Sequence, residues 1–215
     1  GVIFPVGLML VVFTGSELFT GNCLMIIPTL EKKIKPVSMI KNLVVVYISN
    51  FIGAMIIDLL ITFSGQLNYS NGGLGAFTIK VALAKTTINP ATAIVSGILC
   101  NILVCLAIVM ATGATDAIGK IFGVFFPICA FVVCGFEHCV ANMFYIPTGV
   151  MAAMNPEYVA KAQELYGITA QQCQNLASLS GCESLLFVTI GNIIGGMVFV
   201  GLPLYFAYIR KKKSA

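Results

Sequence analysis

The sequence predicts an all-α polytopic membrane protein in which two membrane-spanning helices are broken and related as an inverted repeat. Three observations carry that reading: long apolar stretches with the charges gathered between them, a polar motif repeated inside two of those stretches, and the placement of the lysines. Of the 215 residues, 59% are hydrophobic and 9% are charged, whereas a soluble domain carries roughly 25% charged residues. So few polar side chains cannot cover a soluble globule of this length. The same composition excludes a disordered chain, a nucleic-acid-binding protein and a disulfide-stapled secreted scaffold.

The apolar stretches cover about residues 2–30, 37–63, 91–112, 117–153 and 184–209. A spanning helix needs about 20 apolar residues, so the fourth is too long for one clean span. The first and fourth are also interrupted by polar clusters. Between the stretches the charges set an orientation. Lys32, Lys33, Lys35 and Lys41 follow the first stretch, Lys120 lies in the short link near Asp116, and Arg210 with Lys211, Lys212 and Lys213 ends the chain. With five crossings these nine of the twelve basic residues face one side, expected to be cytoplasmic. The connections 64–90 and 154–183, read as outer loops, hold only Lys80, Lys85 and Lys161. Gly1 is then expected to lie outside, and the sequence shows no basic signal segment with a small-residue cleavage site.

The repeat is the most informative feature. Gly15-Ser16-Glu17-Leu18-Phe19-Thr20-Gly21-Asn22 and Gly135-Phe136-Glu137-His138-Cys139-Val140-Ala141-Asn142 share G-x-E-x-x-x-x-N, and a proline follows each, Pro28 and Pro147. The next span of each half repeats a second signature, Asn50-Phe51-Ile52-Gly53 and Asn192-Ile193-Ile194-Gly195. Corresponding stretches run in opposite directions, the plan of many transporters and channels. By the same symmetry the third stretch needs a partner before Gly1, so the chain is expected to be one N-terminal helix short. Non-helical backbone at membrane depth survives only when buried in protein or lining a cavity. Gly15, Gly21 and Gly135 make such breaks feasible. The two loops are expected to meet near the midplane, where half-helix N-termini favour an anion.

Several side chains in and around the breaks are candidates. Glu17 and Glu137 are read first as clamps that hold the loops, with Asn22 and Asn142 closing each motif, and second as proton or substrate groups. Asp58, the third acid within the spans, is read as an inter-helix partner. His138 is the single histidine; beside the expected anion site it can switch charge near neutrality, and Thr20 can donate to the same anion. Asn50, Asn101 and Asn192 read as helix–helix hydrogen bonders, Asn101 also as a group orienting His138. Gly53, Gly195, Gly196 and Gly201 read as close-packing positions. Lys80 and Lys85 are either solvated charges or a lure for anions. Phenylalanines near the breaks, among Phe4, Phe19 and Phe131, are packing residues or a water-stripping gate. None of the eight cysteines forms a Cys-x-x-Cys pair, so zinc templates are absent and no metal or cofactor is expected. Cys173 and Cys182 can pair if their side is oxidising.

At this point the residues match a known family. The first repeat motif, Lys41-Asn42 with Tyr47 and Asn50, Gly97 through Asn101, Gly135 through Phe144, and Thr189 through Gly196 together resemble the formate/nitrite transporter family of formate, nitrite and hydrosulfide channels. The resemblance covers essentially the whole chain, and the stretch G-F-E-H-x-x-A-N-M is its most specific part. It implies an aquaporin-like fold of six helices with the second and fifth broken, both termini cytoplasmic, and a homopentamer with one pore per protomer in the cell membrane. This chain departs from it by lacking the first helix. Carried over by position, His138 matches the central pore histidine, Thr20 its partner threonine, Asn101 the asparagine nearby and Lys85 the lysine of the outer vestibule. Leu18, Phe19 and Val104 match the outer constriction, and Phe4, Leu8 and Phe131 the inner one.

The expected function is therefore a single transmembrane channel domain over residues 1–215, passing a small monovalent anion (formate, hydrosulfide or nitrite) together with protons. Two other classes compete with this reading. An aquaporin-like channel for small neutral solutes fits the inverted repeat, but Asn89-Pro90-Ala91 occurs once and outside the breaks. A membrane enzyme lacks both a metal-ligand spacing and a nucleophile–base set.

Overall fold

The computed structural model describes residues 1–176 and 180–210, apart from the side chains of Ser180 and Cys182. All regular structure among them is helical. Helix α1 (Pro5–Thr14) opens on a proline, whose missing N–H is no loss in a first turn, and ends at Gly15 with φ 69°. Helix α2 covers Phe19–Leu30, tightens to a 3-10 turn over Cys23–Met25 and is bent by 63° from α1. Helix α3 is Pro36–Phe63, α4 Gly73–Thr86 and α5 Pro90–Gly113. Helix α6 (Ala117–Val133) starts where Asp116 accepts the Gly119 N–H at 2.8 Å. The remaining helices are α7 (Cys139–Ala152), α8 (Pro156–Tyr166), α9 (Ala170–Asn175) and α10 (Ser180–Ile194). Wide π-turns over Gly195–Gly201 and Tyr205–Arg210 carry α10 onward.

The expected breaks are present, and both are made the same way. After α1 the Ser16 N–H donates to the Val11 carbonyl at 3.1 Å; after α6 the Phe136 N–H donates to the Phe131 carbonyl at 3.0 Å. Gly15 and Gly135, at φ 69° and 71°, supply the left-handed residue that this C-terminal motif needs. Helices α3 and α5 and the run Glu183–Arg210 are long and apolar enough to cross a membrane, as is the bent pair α1 and α2 taken together. Helices α6 and α7 are shorter apolar segments of 17 and 14 residues on either side of the second break.

The connections read as loops hold helices instead: α4 in 64–90, α8 and α9 in 154–183. The reason is tertiary. Helix α4 is rich in Gly and Ala and carries Ala76, Ile79 and Ala82 into a core, a narrow stripe that small side chains hide from a hydropathy reading. Helix α9 is only 6 residues long but is held by a capping box between Thr169 and Gln172.

Two compact units result. Among the described residues, the first gathers 1–48, 94–138 and 188–210; the second gathers 49–93, 139–176 and 180–187. In the first, Leu8, Val104, Val124, Ile128 and Phe131 form the main core. There α5 and α10 touch through small residues four apart. A Cβ on Gly191 or Gly195 would strike the backbone of Ile94 or Ile98, and one on Gly97 would lie 2.8 Å from the Val188 carbonyl. This is the close approach that membrane helices favour. Gly53 does not share that role: a Cβ there meets nothing within 4 Å.

In the second unit Leu67, Ile79, Ala152, Tyr158 and Ala162 form the core. Tyr158 donates to Asn68 Oδ1 at 2.5 Å, and the Lys80 ammonium sits 4.5 Å from the centre of the Tyr166 ring. Cys173 is buried, and burial pushes its thiol above the ordinary pKa. The expected pairing of Cys173 with Cys182 lies outside the described residues.

Because the α5–α10 contact leaves no space for side chains, Gly195→Val is expected to destabilise the protein by about 1–3 kcal/mol through overpacking. Gly53→Val, into open space, is expected to stay within about 0.5 kcal/mol. Thermal unfolding of the purified protein in detergent measures both.

Candidate functional site

The two helix breaks meet through side chains in the first unit. Thr20, in the first turn of α2, and His138, the residue just before α7, are both buried, and Thr20 Oγ1 lies 3.0 Å from His138 Nε2. The His138 ring stacks on Phe131 with centroids 5.9 Å apart, and Phe131 meets Phe4 edge-on at 5.5 Å. A hydroxyl and an imidazole thus face each other beside an apolar wall.

Two buried amides hold this arrangement. Asn192 on α10 donates to the Gly97 carbonyl at 2.8 Å and to the Glu137 carbonyl at 3.0 Å. Asn101 on α5 donates to the Asn192 carbonyl at 2.6 Å and to the Thr20 carbonyl at 3.2 Å. Asn101 therefore holds the partner of His138. The Glu137 N–H is taken up by Ser96 Oγ at 3.0 Å. Glu17 Oε2 accepts the side-chain amides of Asn22 at 3.0 Å and Asn42 at 2.9 Å, which ties the first break to α3. These two contacts are made with side-chain amides.

Members of the two expected constrictions share one apolar body. Leu8, Val104 and Phe131 are buried in the same cluster, with Phe4 and Leu18 packed against it. Phe19 lies against Tyr47, ring centroids 4.9 Å apart, and the Tyr47 hydroxyl is 3.0 Å from Thr189 Oγ1. Two predicted residues belong to the second unit. Lys85 is half-buried in the last turn of α4, a helical position and not the loop one expected; its carbonyl accepts from Ser184 Oγ at 2.5 Å. Asn142 is buried on α7.

The sequence reading missed Ser96, Asn42 and Tyr47 as parts of the site, because their partners are distant in the chain. It used Lys120 only as a topological marker. In the structure Lys120 helps line a cavity of about 410 Å3 beside the first break, with Val11, Leu18, Gly21, Asn22 and Ile108. Among the described residues no group of His, Cys, Asp and Glu could hold a metal ion.

Comparison with known proteins agrees with this geometry. The family model described as formate/nitrite transporter matches residues 1–206. The chain is 38% identical to a probable formate transporter of Methanothermobacter thermautotrophicus, covering 98% of this chain and 75% of that one. It is also 38% identical to the formate channel FocA of Haemophilus influenzae, covering 94% and 71%. A solved pentameric formate channel with formate bound superimposes with a TM-score of 0.86 at 33% identity, covering 97% of this chain and 81% of that one. The chain belongs to the formate/nitrite transporter family, and it is a multi-pass membrane transporter and not an enzyme.

Asn192→Leu keeps the branched shape of the side chain but removes the amide that donates to the Gly97 and Glu137 carbonyls. A buried group stripped of its partner costs about 1–3 kcal/mol. The variant is expected to melt well below the wild type, whereas Thr20→Val, which strips no backbone group, is expected to melt close to it.

Proposed function

We propose, from membership of this family, that the chain is one channel domain passing small monovalent anions (formate, nitrite or hydrosulfide) along a path by His138. The observation that carries the reading is the Thr20–His138 contact, where both helix breaks meet against the apolar cluster of Leu8, Val104 and Phe131. Its relatives' names support the substrate class: a probable formate transporter, a formate channel FocA and a formate channel with formate bound.

The mechanism follows from the cost of desolvation. A bare anion in an apolar passage has lost its water and gained nothing in return. A proton removes that cost, since the neutral acid needs only one hydrogen-bond donor and one acceptor. The His138 imidazole can both release a proton to an arriving anion and recover one after it leaves. Thr20 Oγ1 fixes one ring nitrogen, so the imidazole presents a defined face. Phe4, Leu8, Leu18, Phe19, Val104 and Phe131 keep bulk water away, and without that exclusion protonation would confer no selectivity. Lys85 raises the local concentration of anions at one mouth. Glu17, Glu137, Asn22 and Asn142 hold the loops in place and take no part in proton transfer. The assembly is a homopentamer, as in the solved relative, in the cell membrane with the basic C-terminal tail on the cytoplasmic side.

Flux into liposomes tests the reading. The wild type is expected to pass formate, nitrite or hydrosulfide in a pH-dependent manner and to exclude glycerol. His138→Asn is expected to change the pH dependence or the order of anions, and Thr20→Val to slow flux by up to about tenfold, the rate equivalent of one hydrogen bond of about 1.4 kcal/mol. Passage of glycerol with none of the three anions would make the protein a neutral-solute channel. Wild-type pH behaviour in His138→Asn would remove that residue from the mechanism.

A further inference from the structure

The cavity beside the first break carries a charge that the transport reading leaves unassigned. Its volume is about 410 Å3, within the range of about 300–1,000 Å3 in which small-molecule pockets fall. Its walls are mostly apolar, with Val11, Leu18, Ile108 and Ala111 among them. Among the described residues Lys120 is the charged side chain that lines it, and no acidic side chain does.

The polar groups around Lys120 are already committed to one another. Thr112 donates its hydroxyl proton to the Ile108 carbonyl at 2.8 Å. The Asn22 amide nitrogen donates to Glu17 Oε2 at 3.0 Å and to Asn42 Oδ1 at 2.8 Å. Asp116, one turn before Lys120, accepts the Gly119 N–H at 2.8 Å. Lys33 pairs with Glu31 at 2.9 Å, but no ion pair reaches the Lys120 ammonium among the described residues.

A half-buried ammonium with three N–H donors, no counter-ion and apolar walls is arranged to attract an anion. The attraction strengthens as water is excluded and the local dielectric falls, and the bound anion gains a charge-assisted hydrogen bond. The position of the cavity gives this capture a use. Leu18 both lines the cavity and packs on the cluster of Leu8, Val104 and Phe131. Thr20, which contacts His138, follows two residues later. The cavity therefore ends where the apolar barrier begins.

We propose that this cavity is a binding station in which Lys120 holds a small monovalent anion in its ionised form before it enters the apolar constriction at Leu18. The identity of the anion rests on the transport reading; the station adds to that reading a residue it does not use. A small carboxylate is ionised near neutral pH, and that is the form an ammonium retains. Lys120 binds and takes no part in proton transfer, which stays with His138.

Binding and flux are read separately. Reductive methylation with carbon-13 keeps the charge of each lysine and gives it an NMR signal. The Lys120 signal is the one missing from Lys120→Arg, and the Lys33 signal the one missing from Lys33→Arg. With the protein in detergent and the ionic strength held constant with gluconate, the Lys120 signal is expected to shift saturably with sodium formate, in the wild type and in His138→Asn alike. The Lys33 signal, from a lysine already paired with Glu31, is expected to stay nearly still. In liposomes Lys120→Gln is expected to raise the formate concentration for half-maximal flux about two- to fivefold, the range of an exposed ion pair, and Lys120→Arg to restore it. A Lys120 signal that formate moves no more than that of Lys33 overturns the proposal without recourse to any flux. Unchanged half-saturation in Lys120→Gln, with formate flux intact, overturns it too. Absence of formate flux in the wild type overturns the transport reading instead, and the titration still decides whether Lys120 binds the anion.

Discussion

A helix broken inside an apolar protein leaves backbone groups without partners, and the rest of this structure depends on satisfying them. Each bare N–H or C=O in such surroundings costs several kcal/mol. At the second break Ser96 takes up the Glu137 N–H and Asn192 its carbonyl, and Asn101 reaches the Thr20 carbonyl just after the first. Asn192 covers the carbonyls of Gly97 and Glu137, and Asn101 covers those of Asn192 and Thr20. One network thus links α5, α10 and both breaks. It closes only because α5 and α10 approach through Gly97, Gly191 and Gly195; larger side chains would hold the amides out of reach. Packing by glycine and satisfaction by asparagine are one device.

That device explains how two helix breaks hold a side-chain pair at hydrogen-bond distance. Thr20 is fixed through its own carbonyl by Asn101. His138 follows Glu137, whose N–H and carbonyl are both taken, by Ser96 and Asn192. The backbone on each side of the Thr20–His138 contact is therefore pinned before either side chain acts. A site on a free loop would not keep a 3.0 Å contact; this one has the positional precision of its helices.

What the sequence made legible follows from the same physics. A polar octapeptide cannot be silent in an apolar stretch, so both breaks, their glycines and the acids beside them stood out. Thr20, His138 and Asn101 followed from their places relative to those breaks. Helices α4, α8 and α9 did not stand out. Helix α4 shows little contrast between its faces, and the other two derive their order from caps and from packing on Tyr158 and Cys173. Asn42 reaching Glu17, Ser96 capping Glu137 and Tyr47 on Phe19 join residues 25, 41 and 28 positions apart. No local pattern encodes such distances. Lys120 was legible as a charge, but its place at the cavity beside the first break is a product of the fold.

The repeat is faithful in its backbone and unfaithful where the chemistry lies. Gly15 and Gly135 end their helices with the same hydrogen bond, each is followed two residues later by glutamate, and asparagine closes each motif. Three residues after the glycine, however, one copy has Leu18 and the other His138; five residues after, one has Thr20 and the other Val140. The pair that meets is built from non-equivalent positions. A symmetric choice would put histidine and threonine, or leucine and valine, at these places in both copies. The first would add a second titratable imidazole, and the second would carry no proton. One histidine against one hydroxyl gives a single titratable group with a neutral partner that can donate or accept as the ring requires. The inverted repeat supplies two equivalent breaks, and departure from it at Leu18, Thr20, His138 and Val140 leaves one imidazole facing one hydroxyl where they meet.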